Sequence, residues 1–148
     1  MADTFVGKKM TRLEDDILLA GEATFIDDIQ LDGMLHLAVV RSQMAHARIT
    51  SIDISAALNV AGVVAVYTIT DLLTVLSQER VPENFPSSGA RVDVGPYILA
   101  KEEVCYVGEP IVAVIAENRY VAEDAALLIV VDYEPLDVLA DPRESAKP

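Results

Sequence analysis

Ser42, His46 and Asp53 are the residues whose types and spacing come nearest to a catalytic set. A hydroxyl nucleophile, an imidazole base and an orienting carboxylate must converge in space to catalyse acyl transfer. The surrounding residues do not resemble the strained strand-to-helix turn that exposes a nucleophilic serine in hydrolases. A structural hydrogen bond is therefore the favoured role for His46, and a free-standing enzyme is the alternative. His36 lies inside a predicted strand and is expected to be hydrogen-bonded there.

Other chemical motifs are missing from the sequence, which has no GxGxxG, P-loop, CxxC or HExxH pattern. The acidic clusters at 14–16 and 27–28 lack the alternating carboxylates and central glycine of a calcium loop, so they predict solvated turns. Cys105 is the single cysteine, which excludes an internal disulfide. Its place in a predicted strand favours a buried, inert thiol. The residues alone thus predict no catalytic, cofactor-binding or metal-binding site.

Composition limits the classes of function that this chain can serve. Its 148 residues suffice for one domain, and a formal net charge of −13 disfavours binding to nucleic acid. The hydrophobic fraction is 52%, yet no apolar run approaches the roughly 20 residues of a membrane helix. The excess of apolar residues predicts either a rich sheet core or a surface covered by a partner. The N-terminus lacks the apolar stretch of a signal peptide, so we expect a cytoplasmic location.

The elements that must position any site are organised around residues 104–136. The run 111–116 has no polar residue, which is typical of a strand buried on both faces. Asn118 then predicts a helix N-terminus, because its side chain can accept from free backbone N–H groups. A β-branched run at 129–133 predicts a returning strand. Together these segments predict a βαβ-like unit.

Further strands and helices are predicted before this unit. Residues 35–42 are apolar on both faces, which indicates a central strand. In the next strand, 48–54, one isoleucine is out of phase with the others, which a bulge near Thr50 would reconcile. Another strand is predicted at 63–68, and Thr70 is the predicted cap of a short helix that follows. The fold class is therefore α/β (α+β), with short helices packed on a single mixed sheet.

The domain organisation follows from the same pattern. Residues 1–34 are predicted to form an extended N-terminal arm, and 35–136 the α/β core. Within that core, 77–97 form a long loop rich in proline and glycine. The polar, proline-containing residues 137–148 are typical of a C-terminal linker.

Five segments together resemble the large subunit of the molybdenum hydroxylases, namely its N-terminal α/β hammerhead domain. This family includes xanthine dehydrogenase, aldehyde oxidase and aerobic carbon monoxide dehydrogenase. The segments, in the order and spacing of the family, are GEATFIDDI at 21–29, GMLHLAVVRSQMAHARITSIDIS at 33–55, GVVAVYTITDL at 62–72, VGEPIVAVIAENRYVAEDAA at 107–126 and VDYEPL at 131–136. The start of the chain, with VGKKMTRLED directly after the first residues, is similar to large subunits encoded separately from their redox partners.

The resemblance implies a non-catalytic structural domain or split subunit of a molybdopterin-dependent complex. The whole complex would oxidise an aldehyde, a purine, an N-heterocycle or carbon monoxide, using molybdopterin, iron–sulfur clusters and FAD that this chain does not bind. Its implied partners are a downstream molybdopterin-binding polypeptide and the iron–sulfur and FAD subunits. Arg41, His46 and Arg48 are the candidate interface, although both arginines could simply pair with nearby carboxylates. The alternative function is a free-standing acidic protein-interaction module with the same fold.

Overall fold

The computed structural model describes residues 6–82 and 95–145. These residues form two compact units that divide between Met34 and Leu35. The predicted loop at 77–97 falls in part outside the described residues. The first unit contains helix α1 (Asp15–Leu19) and a 3-10 turn (Ile26–Asp28). Among its residues 6–34 none is buried, and large apolar side chains such as Leu13 and Leu19 are exposed. This unit therefore has no apolar core of its own within the described residues.

The second unit contains strands and short helices in alternation. Its strands are β1 (His36–Arg41), β2 (Ala47–Asp53), β3 (Val63–Tyr67), β4 (Glu103–Val104), β5 (Pro110–Ala116) and β6 (Val130–Pro135). Its helices are α2 (Ser55–Leu58), α3 (Ile69–Leu72), α4 (Arg119–Leu127) and α5 (Pro142–Ser145).

The strands form two three-stranded antiparallel sheets, in the orders β1-β5-β3 and β4-β2-β6. The predicted α/β class with short helices is confirmed, but the expected single mixed sheet is two sheets. The two strands of the predicted βαβ-like unit belong to different sheets, with α4 between them in the chain. The physical reason lies in their burial: β5 has four buried residues and no exposed one, whereas β6 alternates between exposed and half-buried residues. Such alternation suits a sheet with one face in solvent.

Strand β1 lies at the edge of its sheet, so the prediction of a central strand was wrong. Its residues are apolar on both faces, as a central strand requires, yet Leu37 is 64% exposed. Apolar residues on both faces of a strand show that both faces can be buried. They do not show whether the strand has one or two neighbours in its sheet. This edge therefore presents apolar residues to the solvent.

Several local predictions are confirmed. The register of β2 against β6 shifts between Ile49 and Ser51, where a bulge near Thr50 was expected. Asn118 caps α4, because its side-chain oxygen accepts from the N–H of Val121 at 2.9 Å. The central strand β5 supplies Ile111 and other fully buried side chains of the core.

Thr68, and not the predicted Thr70, caps helix α3. The Asp71 carboxylate accepts from the Thr68 N–H at 2.7 Å and from its hydroxyl at 2.8 Å. This is a capping box, in which residues three apart bond reciprocally, so the spacing from Thr68 to Asp71 was the usable signal. Thr70 lies inside the first turn of the helix and cannot serve as its cap.

We expect Asp71→Ala to destabilise the fold by about 0.5–1 kcal/mol at neutral pH, the lower part of the range for helix caps. The Thr68 N–H, followed by its hydroxyl, lowers the pKa of Asp71. Because the pKa of Asp71 is lower in the folded chain, its carboxylate stabilises the fold fully above the unfolded-state pKa of about 3.9. This contribution is lost as the pH falls through the folded-state pKa. The difference from the wild type in urea unfolding should therefore shrink below about pH 3.

Asp124→Ala is the matched control, because Asp124 is exposed in α4. It should change the unfolding free energy by less than about 0.5 kcal/mol. A loss in Asp71→Ala that stays constant from neutral to acid pH would contradict a role for the carboxylate.

Candidate interface site

The candidate interface residues lie in and beside the connection between β1 and β2: Arg41 ends β1, His46 lies in the connection, and Arg48 lies in β2. Ser42, at its start, is buried, and its hydroxyl donates to the Met44 carbonyl at 2.9 Å while accepting from the Met44 N–H at 3.0 Å. The Ser42 N–H donates to the Glu109 carbonyl at 2.9 Å, and its carbonyl accepts from the Gly108 N–H at 2.8 Å. These bonds close the turn and fasten it to the segment that leads into β5.

Arg41 lies on the exposed side of this junction. Its Nη1 donates to the Gly108 carbonyl at 2.9 Å, which holds the guanidinium over the 108–110 turn. A guanidinium has five N–H donors in a planar fork, so this bond leaves donor capacity for a partner group. The position agrees with the expected interface role, which stays a prediction.

His46 has the structural role that the sequence favoured. Its Nδ1 lies 2.6 Å from the Asp137 carbonyl oxygen, and because a carbonyl only accepts, this contact places the ring proton on Nδ1. The backbone adds a second link, since the Leu136 N–H donates to the His46 carbonyl at 3.1 Å. Nε2 faces the Glu103 carboxylate at 3.8 Å. His46 therefore ties the chain beyond β6 to the turn between the sheets.

Arg48 pairs with carboxylates on both neighbouring strands. Its Nη1 lies 2.8 Å from Glu134 Oε2 on β6, and its Nη2 lies 3.9 Å from Glu103 Oε1 on β4. Exposed pairs of this kind contribute about 0–1 kcal/mol each. Arg48 thus has the ordinary pairing role that the sequence left open, on a surface where an interface role stays a prediction.

The structure does not bring Ser42, His46 and Asp53 together as a catalytic set. Asp53 ends β2, and its carboxylate accepts from the Ser55 N–H at 2.9 Å and the Ser55 hydroxyl at 2.6 Å. His46 directly precedes the first residue of that strand, and a strand rises about 3.3 Å per residue. The carboxylate and the imidazole are therefore roughly 20 Å apart, too far for general-base catalysis.

Glu109 is the important residue that the sequence analysis missed. Its side chain is buried, with 4% exposure, and its carboxylate accepts from the Cys105 N–H at 2.5 Å. Pro110 indicated an extended residue before it, but no sequence signal revealed that the carboxylate turns inward. Nearby, burial raises the pKa of the Tyr133 hydroxyl, and a hydrogen bond with Ser42 opposes part of that change. The junction between the sheets thus contains a buried polar group beside the turn.

Cys105 is exposed, so the prediction of a buried thiol was wrong. Strand β4 ends at Val104, which is fully buried, and the chain leaves the ladder at Cys105. Partial burial is the main cause that raises the pKa of the Cys105 thiol, and the charges of Glu109 and Glu103 raise it further. An accessible but protonated thiol is a weak nucleophile.

We expect Cys105 to be alkylated by iodoacetamide more slowly than a free cysteine at pH 7.5, since only the thiolate reacts. The rate should reach its half-maximum at a higher pH than that of a model cysteine peptide, because the pKa is raised. Mass spectrometry of the modified chain measures both rates. Faster modification than the peptide at neutral pH would contradict this prediction.

The described residues contain no group of three or more His, Cys, Asp or Glu side chains that could hold a metal ion. None of the helices in ranges 6–82 and 95–145 has the length and apolar character needed to cross a membrane. Within these ranges, two small antiparallel sheets are joined by a hydrogen-bonded turn. This arrangement defines a small α/β domain.

The chain belongs to the family described as aldehyde oxidase and xanthine dehydrogenase, a/b hammerhead domain, whose model matches residues 20–137. It is 43% identical over 140 residues to the nicotine 6-hydroxylase large subunit of Paenarthrobacter nicotinovorans, covering 95% of this chain and 17% of that protein. It is 41% identical over 143 residues to the carbon monoxide dehydrogenase large chain of Afipia carboxidovorans, covering 97% and 17%. The resemblance to the molybdenum hydroxylases is confirmed.

Solved structures agree with this assignment. A Cu,Mo-CO dehydrogenase superposes with a TM-score of 0.80 at 41% identity, over 96% of this chain and 17% of that chain. The aldehyde oxidoreductase of Desulfovibrio desulfuricans superposes with a TM-score of 0.82 at 26% identity, over 96% and 16%. The chain therefore spans about one sixth of the length of the relatives that it matches. A relative from Paenarthrobacter nicotinovorans is named as one subunit of a dehydrogenase complex.

Proposed function

We propose that this chain is a non-catalytic structural domain, or a split subunit, of a molybdopterin-dependent hydroxylase or dehydrogenase. The complete complex oxidises an aldehyde, a purine, an N-heterocycle or carbon monoxide. The observation that carries the proposal is the match of residues 20–137 to one domain of much longer relatives. A free-standing interaction module would not require likeness to the same region in several of these enzymes.

The cofactors of the complex are, in this proposal, held by other polypeptide segments. Molybdopterin, iron–sulfur clusters and FAD each need several binding groups that converge on one site. Cysteine thiolates are the usual ligands of iron–sulfur clusters. The single cysteine, Cys105, cannot supply such a set, and the described residues offer no cluster of metal ligands. The side chains described here do not fit these groups, so no step of the reaction is assigned to them.

The partners in this proposal are a molybdopterin-binding polypeptide and the iron–sulfur and FAD subunits, in the cytoplasm. Two features support partner contact. Arg41 and Arg48 project from the junction between the sheets, where His46 fixes the direction of the chain after β6. In the first unit, Leu13 and Leu19 are 98% and 88% exposed, and apolar groups of that size are stabilised when a partner covers them.

A domain exchange tests this function. The segment of the Afipia carboxidovorans carbon monoxide dehydrogenase large chain that matches this chain is replaced by residues 1–148. The chimera should assemble, retain its molybdenum and oxidise carbon monoxide, because the exchanged domain supplies structure and no reacting group. The purified chain itself should contain no molybdenum by elemental analysis and oxidise none of these substrates.

The matched control is the same exchange with the corresponding segment of the Hydrogenophaga pseudoflava large chain, which is 37% identical to this chain. This control measures how much the yield of assembled enzyme falls when this domain is exchanged for that of a known relative. Turnover by the isolated chain would overturn the proposal. An assembled chimera that acquires a new substrate, while the control does not, would also overturn it.

A further inference from the structure

The outer edge of β1 is unpaired in the part of the chain that the structure describes, because β1 ends the β1-β5-β3 sheet. In an antiparallel sheet, alternate residues direct their N–H and C=O groups away from the neighbouring strand, so about half of those of β1 face outward. Edge strands in soluble proteins are usually protected by lysine, proline or a covering segment. The sequence HLAVVR contains neither lysine nor proline, and its one arginine is terminal.

Helix α4 gives this edge a second wall. Leu37, Val39 and Arg41 of β1, together with Glu123 and Leu127 of α4, line an open groove of about 530 Å³. Leu37 is 64% and Leu127 84% exposed, so the apolar side chains on both walls contact solvent. The groove thus offers backbone hydrogen-bonding groups beside apolar contacts. An added strand recognises this combination with its main chain and its alternate side chains.

The charges along the groove distinguish between possible occupants. Glu123 places a carboxylate on the helical wall, and Arg41, at the end of β1, directs its Nη1 to the Gly108 carbonyl. The chain as a whole carries a net charge of −13, so the surrounding field favours a positively charged occupant. A second copy that paired through the same edge about a two-fold axis would join two chains that each carry a net charge of −13. Like charges oppose that pairing, whereas a lysine or arginine on the added strand would complement Glu123.

We propose that the groove between β1 and α4 binds an extended, apolar peptide segment that carries a basic residue, by adding it as a strand at the outer edge of β1. The main chain of the segment bonds the outward N–H and C=O groups of His36–Arg41. Its apolar side chains cover Leu37 and Leu127, and its basic residue faces Glu123. This inference concerns the chain's own surface and does not depend on the proposed function.

The test uses a blocked peptide of alternating threonine and valine with one central lysine, titrated into the isotope-labelled chain. Amide resonances of β1 and α4 should shift on binding, and those of β3, at the opposite edge of the sheet, should not. A peptide with glutamate in place of lysine should bind about two- to five-fold more weakly, as expected for an exposed charge pair. Glu123→Lys should reverse that preference.

Leu37→Lys places a charge on the edge and should weaken binding at least ten-fold. The matched control, Val64→Lys, is exposed on β3 of the same sheet and should leave binding unchanged. Shifts centred on another strand, or no shift at millimolar peptide, would overturn the proposal. Concentration-dependent shifts of β1 without peptide would overturn it in favour of pairing between copies. Failure of the chimera described above would leave these measurements unaffected.

Discussion

Replacing Ile111 with alanine is expected to lower the free energy of unfolding by about 2–5 kcal/mol, because it leaves a cavity in the central strand. Ile111 has 0% exposure and belongs to the core that joins β5 with helices α2 and α4. Domains of this kind are stable by about 5–15 kcal/mol, so the loss is a large fraction of the total. Urea unfolding followed by circular dichroism measures it.

Ile98→Ala removes the same atoms from an exposed position and is the matched control. Its effect should be less than half of that of Ile111→Ala, since fewer apolar contacts with the core are lost. Equal losses in the two variants would show that β5 is not the centre of the core. Ile111→Val, which removes one methylene, should lower the free energy of unfolding by about 0.5–1.5 kcal/mol, a smaller loss than that of Ile111→Ala.

The β5–α4 segment could be predicted because its signals are local. A continuous apolar run defines a buried strand whatever its neighbours are, and Asn118 needs only the N–H three residues later to cap a helix. The bulge in β2 could also be predicted, since the phase of successive isoleucines records which face each side chain occupies. Each of these patterns can be interpreted from a few neighbouring residues, without knowledge of distant parts of the chain.

The arrangement of the sheets could not be predicted, because it depends on contacts between distant residues. β1 pairs with β5 and β2 with β6, so each partner lies about seventy residues or more away in the chain. Apolar periodicity shows which face is covered, but not which strand lies beside it. The local pattern was therefore compatible with a single sheet. The strands form two sheets because β1 pairs with β5 while β2 pairs with β6.

The candidate site shows the same division. His46 could be favoured as a structural residue from its surroundings, but its acceptor, the Asp137 carbonyl, follows β6 and no motif connects the two. Glu109 followed a turn signal, yet only the folded chain shows that its carboxylate points inward to the Cys105 N–H. Both residues act on the same junction, the turn that passes from one sheet to the other. We therefore expect the stability of the fold and the geometry of this turn to be coupled.

Glu109→Ala is expected to destabilise the fold by about 1–3 kcal/mol, because it removes the acceptor of the Cys105 N–H and leaves a void at a buried position. The Glu109 backbone also accepts from Ser42, and Arg41 bonds the adjacent Gly108. Loosening of the Glu109 segment should thus reach the turn that begins at Ser42. Urea unfolding measures the stability, and amide hydrogen exchange at Ser42 measures the turn.

Glu109→Gln is the matched control, since its amide oxygen can accept the same N–H while the charge is removed. If the hydrogen bond is what matters, the glutamine variant should recover most of the stability and keep the Ser42 amide protected. If the glutamine variant loses as much as the alanine variant, the negative charge and not the acceptor holds the junction. An alanine variant as stable as the wild type would show that the sheets are joined without this residue, and that the turn bearing Arg41 and His46 is held by its own bonds alone.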